Sequence, residues 1–495
     1  MNERRFTKTM IAVFAITVAV YVAVRLWRLT SYGLFGDEIF SFQLASDTWG
    51  GLLHSAITDV VHPPLFYLLL KLWIGIGGNS LLWVKLFPVC FSLAALVLLV
   101  RFCRELKLQL SVINLTVWLM AVNEYLVNFS QELRMYSPLL FFTLLSMCLF
   151  ARYYKSPPAN RLLAALLIVN LLLIFTHYYG WFVVAIEWLF LLLQRDRKTQ
   201  RFSIVCLTLG LCFSFWAYQV AQAAKAKGGL GINLDWNNPP SLIDALWYYV
   251  ILQGSLTYRW QQPLKTIGAM MITAIFLFPL LLLIKRRFNA KLADLQSHQQ
   301  LFFILPMIAA LPVAISFIAS QFLSHSVWGI RYLIIAAPAY LILISLAVFE
   351  VKPRWLKAAI IAFFVAWSGA SGFILLQNRE KLALNAMVAR LVRAETSEQP
   401  KIHIYTNRNT IGYTMQFYLE EENAPRFEVI YVDDYSQIND DYCWIAFIKF
   451  KYEHQDTPQK FLEEKGYRIS KIIQSETFTQ SVVFFAARKE TTVKP

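Results

Sequence analysis

Residues 10–27 read MIAVFAITVAVYVAVRLW, an apolar run in which Arg25 is the only charge. About 20 such residues suffice for a helix to cross the ~30 Å hydrocarbon layer of a membrane. Because the run follows the basic segment MNERRFTKT, residues 1–28 resemble a signal peptide. The apolar part is too long for one, however, and no small-residue cleavage site follows it. The sequence therefore predicts a retained transmembrane helix.

Apolar runs of this kind recur along most of the chain. The 495 residues are 57% hydrophobic and 16% charged, whereas soluble proteins carry about 25% charged residues. We therefore predict a polytopic α-helical membrane protein with about eleven transmembrane helices. The predicted spans are 10–27, 81–100, 111–128, 137–152, 161–176, 180–193, 202–221, 266–284, 300–320, 331–349 and 357–376.

The net charge of +15 raises the question of a nucleic-acid partner. The basic residues are distributed in short clusters between apolar runs instead of forming one surface, and this excludes nucleic acid as the expected partner. Since basic loops face the cytoplasm, we predict a cytoplasmic N-terminus, a multi-pass location in the inner membrane and an external C-terminal region. Arg25 and Arg28 depart from this rule, because they follow the first helix on its outer side. The clusters lie in alternate connections, at 4–8, 101–107, 152–161, 195–201, 285–291 and 352–357.

The composition changes near residue 380. We predict a transmembrane domain at 1–379, with a large first outer loop at 29–80 that carries juxtamembrane helices, and an exported α/β domain at 380–495. Residues 380–396 have the pattern of an amphipathic helix. The predicted strands are 401–406, 427–432, 443–450 and 481–487, and the predicted helices between them are 411–422 and 457–466. The six cysteines show no metal-ligand spacing.

Carboxylate, histidine and arginine side chains gather in the predicted outer connections, although that topology rests on the basic clusters alone. Ionisable groups at membrane depth are costly and are kept mainly where they face a site. We therefore expect five connections to line one cavity at the outer membrane boundary. Its candidate residues are Asp37, Glu38, Asp59, His62, Glu132, Arg134, Tyr136, His177, Tyr178, His325, Arg331 and Tyr332.

The residue types in this cavity favour a transfer reaction. The guanidinium forks of Arg134 and Arg331 suit phosphate oxygens, which they can bind bidentately. The adjacent acids Asp37 and Glu38 can supply a general base or orient a metal, and His62 can donate to phosphate. A carboxylate base beside a phosphate-binding pair is what transfer from a phosphate-linked donor to a hydroxyl acceptor requires.

Structural roles are also open for the same side chains. Asp37 and Glu38 can stabilise the start of the helix that follows them, and His62 can belong to a rigid turn with its two prolines. Glu132 and Arg134 can form a local interfacial pair. The tyrosines and tryptophans of this region fit an aromatic belt at the membrane surface equally well.

The order of these motifs resembles a known class of membrane enzymes. The motifs are GDEIFSFQLA at 36–45, HPPLFYLLLKLW at 62–73, SQELRMYSPLLF at 130–141, THYYG at 176–180 and GIRYLI at 329–334. Together they are similar to bacterial membrane glycosyltransferases of the GT-C class. The similarity is with the family-39-like branch, which is related to protein O-mannosyltransferases and lipid A aminoarabinose transferases. The aminoarabinose branch has Lys-Pro where this chain has His62-Pro63.

The resemblance implies a catalytic transmembrane domain that uses a polyprenyl-phosphate-linked sugar on the outer face of the cytoplasmic membrane, usually with inversion. The acceptor hydroxyl would belong to a glycan, a lipid or a protein. Asp37 would be the base beside Glu38, and His62, Arg134 and Arg331 would bind the donor phosphate. No cofactor is required, and a divalent metal is possible at the two acids. The remaining cavity residues would be Asp59, Glu132, Tyr136, His177, Tyr178, His325 and Tyr332.

Two other classes of protein share some of these features. A transporter or flippase of a lipid-linked anion would have the same polytopic frame and a cationic cavity. It would, however, place its site near the membrane midplane, often between two repeated halves, and the sequence shows no internal repeat. A sensor or assembly subunit that works through its exported domain would leave the membrane region without acids and arginines at its outer face.

Overall fold

A computed structural model of the chain describes residues 3–226, 238–254, 256, 263–288, 300–377, 383–450, 458–476 and 480–489. Packing divides the chain into two compact units. The first contains Met1–Trp27 and Leu44–Leu376, and the second contains Arg28–Gln43 and Gln377–Pro495. Residues 289–291 of a basic cluster, 380–382 of the predicted amphipathic helix and 457 of another predicted helix lie outside the described residues.

The first unit is helical. Within the described ranges, seven helices are long and apolar enough to cross a membrane, and a bent pair makes eight if it counts as one span. The multi-pass helical architecture is therefore confirmed, while the count of eleven stays a prediction. The helices up to residue 377 are α1 Glu3–Leu26, α2 Asp37–Ser46, α3 Trp49–Asp59, α4 Leu65–Gly77, α5 Leu81–Glu105, α6 Leu110–Val122, α7 Glu124–Gln131, α8 Tyr136–Lys155, α9 Asn160–Thr176, α10 Gly180–Leu193, α11 Lys198–Ala226, α12 Leu242–Gln253, α13 Leu264–Phe288, α14 Ile304–Phe322, α15 Ala337–Phe349 and α16 Arg354–Gln377, with 3₁₀ turns at Leu301–Phe303 and Ile330–Ile335.

The bent pair is α6 and α7, which meet at 60°. Asn123 lies at the bend in an extended conformation, and its side chain accepts a hydrogen bond from the Leu126 amide at 3.1 Å, which caps α7. Its amide group also donates to the Leu252 carbonyl at 3.1 Å. The sequence alone predicted one continuous span at 111–128, because a run of apolar residues carries no sign of a break whose cap is an asparagine.

Arg25, whose position departed from the charge rule, is fully buried. Its guanidinium donates to Ser92 Oγ at 2.9 Å and to the Met120 and Ala121 carbonyls at 3.2 Å each. It also stacks on the Tyr21 ring at 3.3 Å. Met120 and Ala121 belong to the last turn of α6, whose carbonyls have no partner within the helix. Arg25 is thus a cation that caps a helix C-terminus, and it is no topology signal.

We expect Arg25→Met to lower the free energy of unfolding by about 2–4 kcal/mol, because it leaves buried carbonyl groups without a donor. The measurement is thermal denaturation of the purified protein in detergent. Arg28→Gln is the matched control, since Arg28 is exposed and its loss should change the melting temperature little. Equal melting temperatures for the two variants would contradict the capping role.

The second unit contains a five-stranded sheet in the order β2-β1-β3-β5-β4. Strand β1 pairs in parallel with β2 and β3, and β5 pairs antiparallel with β3 and β4. The predicted strands and helices are present, and β4 is an additional strand. The elements of the second unit after residue 383 are α17 Leu384–Ala394, β1 Ile402–Thr406, α18 Asn409–Glu421, β2 Phe427–Tyr431, a 3₁₀ turn Tyr435–Gln437, β3 Tyr442–Phe450, α19 Pro458–Glu464, β4 Tyr467–Glu476 and β5 Gln480–Lys489.

Both faces of this sheet are covered. Because side chains alternate along a strand, Trp444 of β3 joins the core formed with α17 and α18, while Ile445 joins the core that contains Leu462 of α19. The buried Glu395 carboxylate, which follows α17, accepts hydrogen bonds from Tyr442 Oη at 2.6 Å and Trp444 Nε1 at 2.5 Å. One helical layer, formed by α17 and α18, is therefore fixed firmly to the sheet.

Candidate active site

A strained turn in the first unit positions Asp59 and His62. Helix α3 ends at Asp59, and Val60 then adopts φ 58° and ψ −17°, in the left-handed region. A β-branched residue rarely adopts this conformation, and such strain persists where the surrounding structure enforces it. Tyr178 Oη donates to the Val60 carbonyl at 3.3 Å, which helps to hold the turn. The next residues include two prolines, and α4 begins directly after them.

His62 links a carboxylate to an arginine. Its Nδ1 lies 3.1 Å from Asp59 Oδ2, and since a carboxylate only accepts, Nδ1 carries the proton. Its Nε2 lies 3.4 Å from Arg134 Nη2 and therefore accepts from the guanidinium. Neutral His62 thus orients Arg134. In the sequence analysis His62 could help to bind the donor phosphate, and that role stays a prediction; in this structure its Nε2 accepts from Arg134.

Arg134 reaches His62 because the chain turns sharply between α7 and α8. The Arg134 amide donates to the Glu132 carbonyl at 2.7 Å, an i to i+2 hydrogen bond of the kind that forms a three-residue turn. The Arg134 side chain is only 2% exposed. The charges of Glu132, Arg134 and Arg331 all act on the buried Tyr136 hydroxyl, so that these four predicted residues share one region.

His177, between α9 and α10, carries its proton on the other ring nitrogen than His62 does. Its Nδ1 accepts from the Tyr179 amide at 3.1 Å, so the neutral ring carries its proton on Nε2. Among the described residues, neither His177 Nε2 nor Tyr136 Oη has a hydrogen-bond partner, and both atoms are buried. The His177 ring lies 5.9 Å from the His62 ring, measured between centroids. A buried N–H group beside His62 is therefore available to an acceptor.

Arg331 lies in the 3₁₀ turn Ile330–Ile335, which precedes α15. Its guanidinium carbon is 5.4 Å from the centroid of the Tyr332 ring, and that ring is 4.6 Å from the His177 ring. A Cβ at Gly329 would lie 2.4 Å from Tyr332 ring atoms. The glycine of the motif GIRYLI is therefore needed so that the Tyr332 ring can pack against the backbone and reach His177.

Two tyrosines that the sequence did not single out anchor the segment around Arg331. Tyr125 Oη donates to the Ile330 carbonyl at 2.8 Å, and Tyr179 Oη donates to the Val327 carbonyl at 2.8 Å. Tyr125 lies in a predicted apolar span, and Tyr179 fits an aromatic belt as well as a functional role, because a tyrosine that supports a backbone carbonyl has no sequence pattern of its own. Their hydroxyl groups therefore fix the segment that precedes α15 in the chain.

The region is electropositive. Burial strongly lowers the pKa of His177, and the neighbouring His62, Arg134 and Arg331 lower it further. Burial lowers the pKa of His62 as well, the hydrogen bond to Asp59 opposes that shift, and Arg134 and Arg331 add to it. Burial, with a smaller contribution from the two guanidiniums, keeps both histidines neutral, and the two guanidinium charges favour an anion beside them. The cluster of neighbouring side chains His62, Arg134, His177, Arg331 and Tyr332 is named the cationic pocket.

These pKa shifts predict a pH-dependent stability. Both histidines have lowered pKa values in the folded state, so below their ordinary value of 6.5 the unfolded chain binds more protons than the folded chain. The contribution of these two histidines to the free energy of unfolding therefore falls as the pH decreases through this window and is constant above it. We expect His177→Asn to reduce the fall between pH 6.5 and 5.5 by about 1 kcal/mol.

The measurement is thermal denaturation in detergent across this pH range. Asparagine suits the test because its side-chain oxygen can still accept from the Tyr179 amide. The same dependence on pH in the variant and the parent protein would show that His177 is not held neutral.

The remaining predicted residues are placed as follows. His325 is half-buried in the connection between α14 and the 3₁₀ turn that carries Arg331. Asp37 and Glu38 begin α2 and belong to the second compact unit, whereas the sequence division placed them with the membrane helices.

Within the described ranges, no group of three or more His, Cys, Asp or Glu side chains could hold a metal ion. A divalent cation at the two acids stays a prediction from the sequence.

The described residues define a polytopic helical membrane protein with an added α/β unit. The structure is similar to the crystal structure of ArnT from Cupriavidus metallidurans bound to undecaprenyl phosphate. The TM-score is 0.54 at 12% sequence identity, over 97% of this chain and 98% of that chain. An identity this low shows the fold alone. The GT-C fold that the motifs predicted is therefore confirmed.

A second similar structure is the apo oligosaccharyltransferase of Archaeoglobus fulgidus. It has a TM-score of 0.43 and 13% identity over 84% of this chain and 64% of that chain. This score is too low to carry an argument about function. No protein-family profile and no curated protein matches the chain.

Proposed function

We propose that this protein is a glycosyltransferase that moves a sugar from a polyprenyl-phosphate donor to a hydroxyl acceptor at the outer face of the cytoplasmic membrane. The observation that carries the proposal is the cationic pocket, where the charges of two guanidiniums act on a buried His177 Nε2–H that has no hydrogen-bond partner among the described residues. Two arginines and a neutral N–H donor match the oxygens of a phosphate group. Support for a lipid-linked phosphate comes from the ArnT structure, which has the same fold and holds undecaprenyl phosphate.

In this proposal each pocket residue has a separate task. Arg134 and Arg331 pair with the donor phosphate, and His177 Nε2–H donates to one of its oxygens. His62 acts on Arg134, because its Nε2 accepts from the guanidinium while Asp59 holds its other nitrogen. The phosphate leaves readily when its developing charge is paired in this way. No nucleotide is then needed for the sugar to depart.

The proposed base is Asp37, assigned from the motif GDEIFSFQLA. In the second unit its side chain is exposed at the start of α2, whereas Glu38 is buried. The acceptor hydroxyl would give its proton to the Asp37 carboxylate while its oxygen attacks the anomeric carbon. The bond between that carbon and the phosphate oxygen breaks, and polyprenyl phosphate leaves. Attack from the face opposite the phosphate inverts the anomeric centre.

The experiment is incubation of the purified protein with a panel of radiolabelled polyprenyl-phosphate sugars and membrane extract. We expect label from one donor to appear in a glycan, lipid or protein product, with release of polyprenyl phosphate. The product would name both the sugar and the acceptor. Specific, saturable binding of polyprenyl phosphate together with a lack of product from every sugar in the panel would argue for a carrier of lipid-linked anions.

A further inference from the structure

The stretch that carries the two acids packs on the C-terminal α/β unit. This stretch, LFGDEIFSFQ at 34–43, is named the acid segment, and it lies in the same compact unit as residues 377–495. Its partner is α18, Asn409–Glu421. Tyr418 Oη of α18 donates to the Leu34 carbonyl at 2.8 Å, and Tyr413 Oη donates to the Gln43 side chain. The two ends of the acid segment are thus attached to one helix.

The start of α2 is capped from the same helix. Gly36 occupies the N-cap position directly before Asp37, and its amide donates to Thr414 Oγ1 at 3.1 Å. The Thr414 hydroxyl donates in turn to the Thr410 carbonyl at 2.7 Å, so that it acts as an acceptor and as a donor at the same time. In a capping box, the N-cap amide is satisfied by a residue three positions further along the helix. Here a buried threonine that lies 378 residues away does so.

Close packing supports these hydrogen bonds. Phe35 packs against the core formed by α17, α18 and the sheet, and the Phe42 and Phe417 rings meet edge to face at 6.2 Å. Gly36 has φ +46°, and a Cβ there would lie 2.7 Å from Thr410 Cγ2. The backbone before Asp37 therefore fits against α18 only as glycine. The acid segment cannot shift along this helix without losing several contacts at once.

The two acids differ in their surroundings. Glu38 is 4% exposed. The pKa of Tyr418 is raised, mainly because Tyr418 is buried and secondly because the Glu38 charge lies nearby. Asp37 is exposed, one residue beyond the amide that Thr414 holds. Fixing the Gly36 amide therefore fixes the point from which the Asp37 side chain projects, while Glu38 stays buried in the neighbourhood of Tyr418.

We infer that the C-terminal α/β unit positions the proposed base, Asp37. Thr414 and Tyr418 of α18 are the positioning residues, and they act through the backbone of the acid segment. This inference rests on the proposed function, since it takes Asp37 as the group that removes the acceptor proton. The domain then contributes to the transfer step itself. Loss of these contacts lowers turnover without changing the binding of the donor lipid.

The experiment uses the purified protein and four variants of α18 and its surroundings. Thr414→Val removes the acceptor for the Gly36 amide, and Tyr418→Phe removes the donor to Leu34. Tyr431→Phe is the matched control, because Tyr431 Oη donates to the Asn409 carbonyl of the same helix at 2.6 Å but makes that hydrogen bond outside the acid segment. Thr414→Ser keeps the hydroxyl group.

We expect Thr414→Val and Tyr418→Phe to lower kcat at least tenfold, with KM for the donor lipid within twofold of the parent value. Amide exchange in residues 34–43, measured by mass spectrometry, should accelerate at least tenfold in both. Thr414→Ser and Tyr431→Phe should stay within about twofold of the parent protein in both measurements.

Unchanged exchange in residues 34–43, or accelerated exchange with unchanged kcat, would overturn the inference. Asp37→Asn, assayed in parallel, separates this failure from failure of the proposed function. Full turnover in Asp37→Asn would remove Asp37 as the base, even if exchange still shows that α18 holds the acid segment.

Discussion

Asp37→Asn is expected to reduce transfer by about 10³-fold. Asparagine has nearly the same size but cannot take a proton from the acceptor hydroxyl, and general base catalysis contributes about 10²–10⁴-fold. Binding of the donor lipid should stay within twofold of the parent value, because the phosphate is assigned to the cationic pocket. The measurements are kcat with a labelled donor and the Kd for polyprenyl phosphate.

The matched control is Asp47→Asn, which makes the same chemical change at an exposed aspartate after the end of α2. We expect this variant to turn over at the parent rate. Glu38→Gln is the informative neighbour, since Glu38 is buried and Asp37 is exposed. A large loss in Glu38→Gln with a normal rate in Asp37→Asn would exchange the roles of the two acids.

Arg134→Gln is expected to weaken binding of polyprenyl phosphate about 100-fold, which corresponds to about 2.7 kcal/mol. Glutamine can still donate to His62 Nε2, but it lacks both the charge and the bidentate fork that phosphate requires. The measurement is direct binding of polyprenyl phosphate by the purified variant, with a thermal denaturation curve to show that it is folded.

Arg152→Gln is the control for this change. Arg152 lies in the last turn of α8, the helix that starts just after Arg134, and it pairs with Glu105 at 2.9 Å. Its removal should leave polyprenyl phosphate binding within twofold of the parent value. Equal losses of affinity in the two variants would mean that the arginines act through general charge and that the cationic pocket is not the phosphate site.

Much of the fold follows from the sequence, because it depends on patterns that are local. The long apolar runs predict membrane helices, and short runs rich in aromatic and β-branched residues predict strands such as 443–450. Strand β4, Tyr467–Glu476, was not predicted, because it pairs on one side only and its pairing is irregular between Ser470 and Ile473. Polar residues and irregularities are typical of edge strands, and they hide the alternating pattern.

The membrane core also contains features that only the packed structure reveals. The break at Asn123 and the Arg25 guanidinium both lie at the end of α6, yet they are about a hundred residues apart in the chain. A charge count interprets Arg25 as a topology signal, since it cannot show that the side chain points into the helices. The same limit applies wherever a charged residue serves a helix terminus.

For the site, the residue types could be predicted but their tasks could not. The sequence identified His62, Arg134, His177, Arg331 and Tyr332, and these residues lie together in the structure. Proton positions on the two histidines depend on Asp59 and on the Tyr179 amide, which are contacts that no motif encodes. The structure therefore distinguishes His62, which accepts from Arg134, from His177, whose N–H has no partner within the described part of the chain.

The acid segment shows a third kind of limit. From the sequence, residues 28–43 belong to the connection that follows the first membrane helix, and nothing in GDEIFSFQLA indicates a partner near residue 414. The contact with Thr414 and Tyr418 depends on tertiary structure across nearly the whole chain. The sequence left helix capping as the alternative role of the acid pair, and the structure adds that this cap comes from the C-terminal unit.

The most direct test of the account is the fate of the bond between sugar and phosphate in proteoliposomes. The purified protein is reconstituted with a polyprenyl-phosphate sugar whose sugar is labelled, together with the acceptor fraction. We predict that the label leaves the lipid and joins the acceptor, with one polyprenyl phosphate released for each sugar transferred, and that Arg134→Gln and Asp37→Asn each prevent this. Movement of the intact donor to the other leaflet, with the bond unbroken, would contradict the account and identify a transporter.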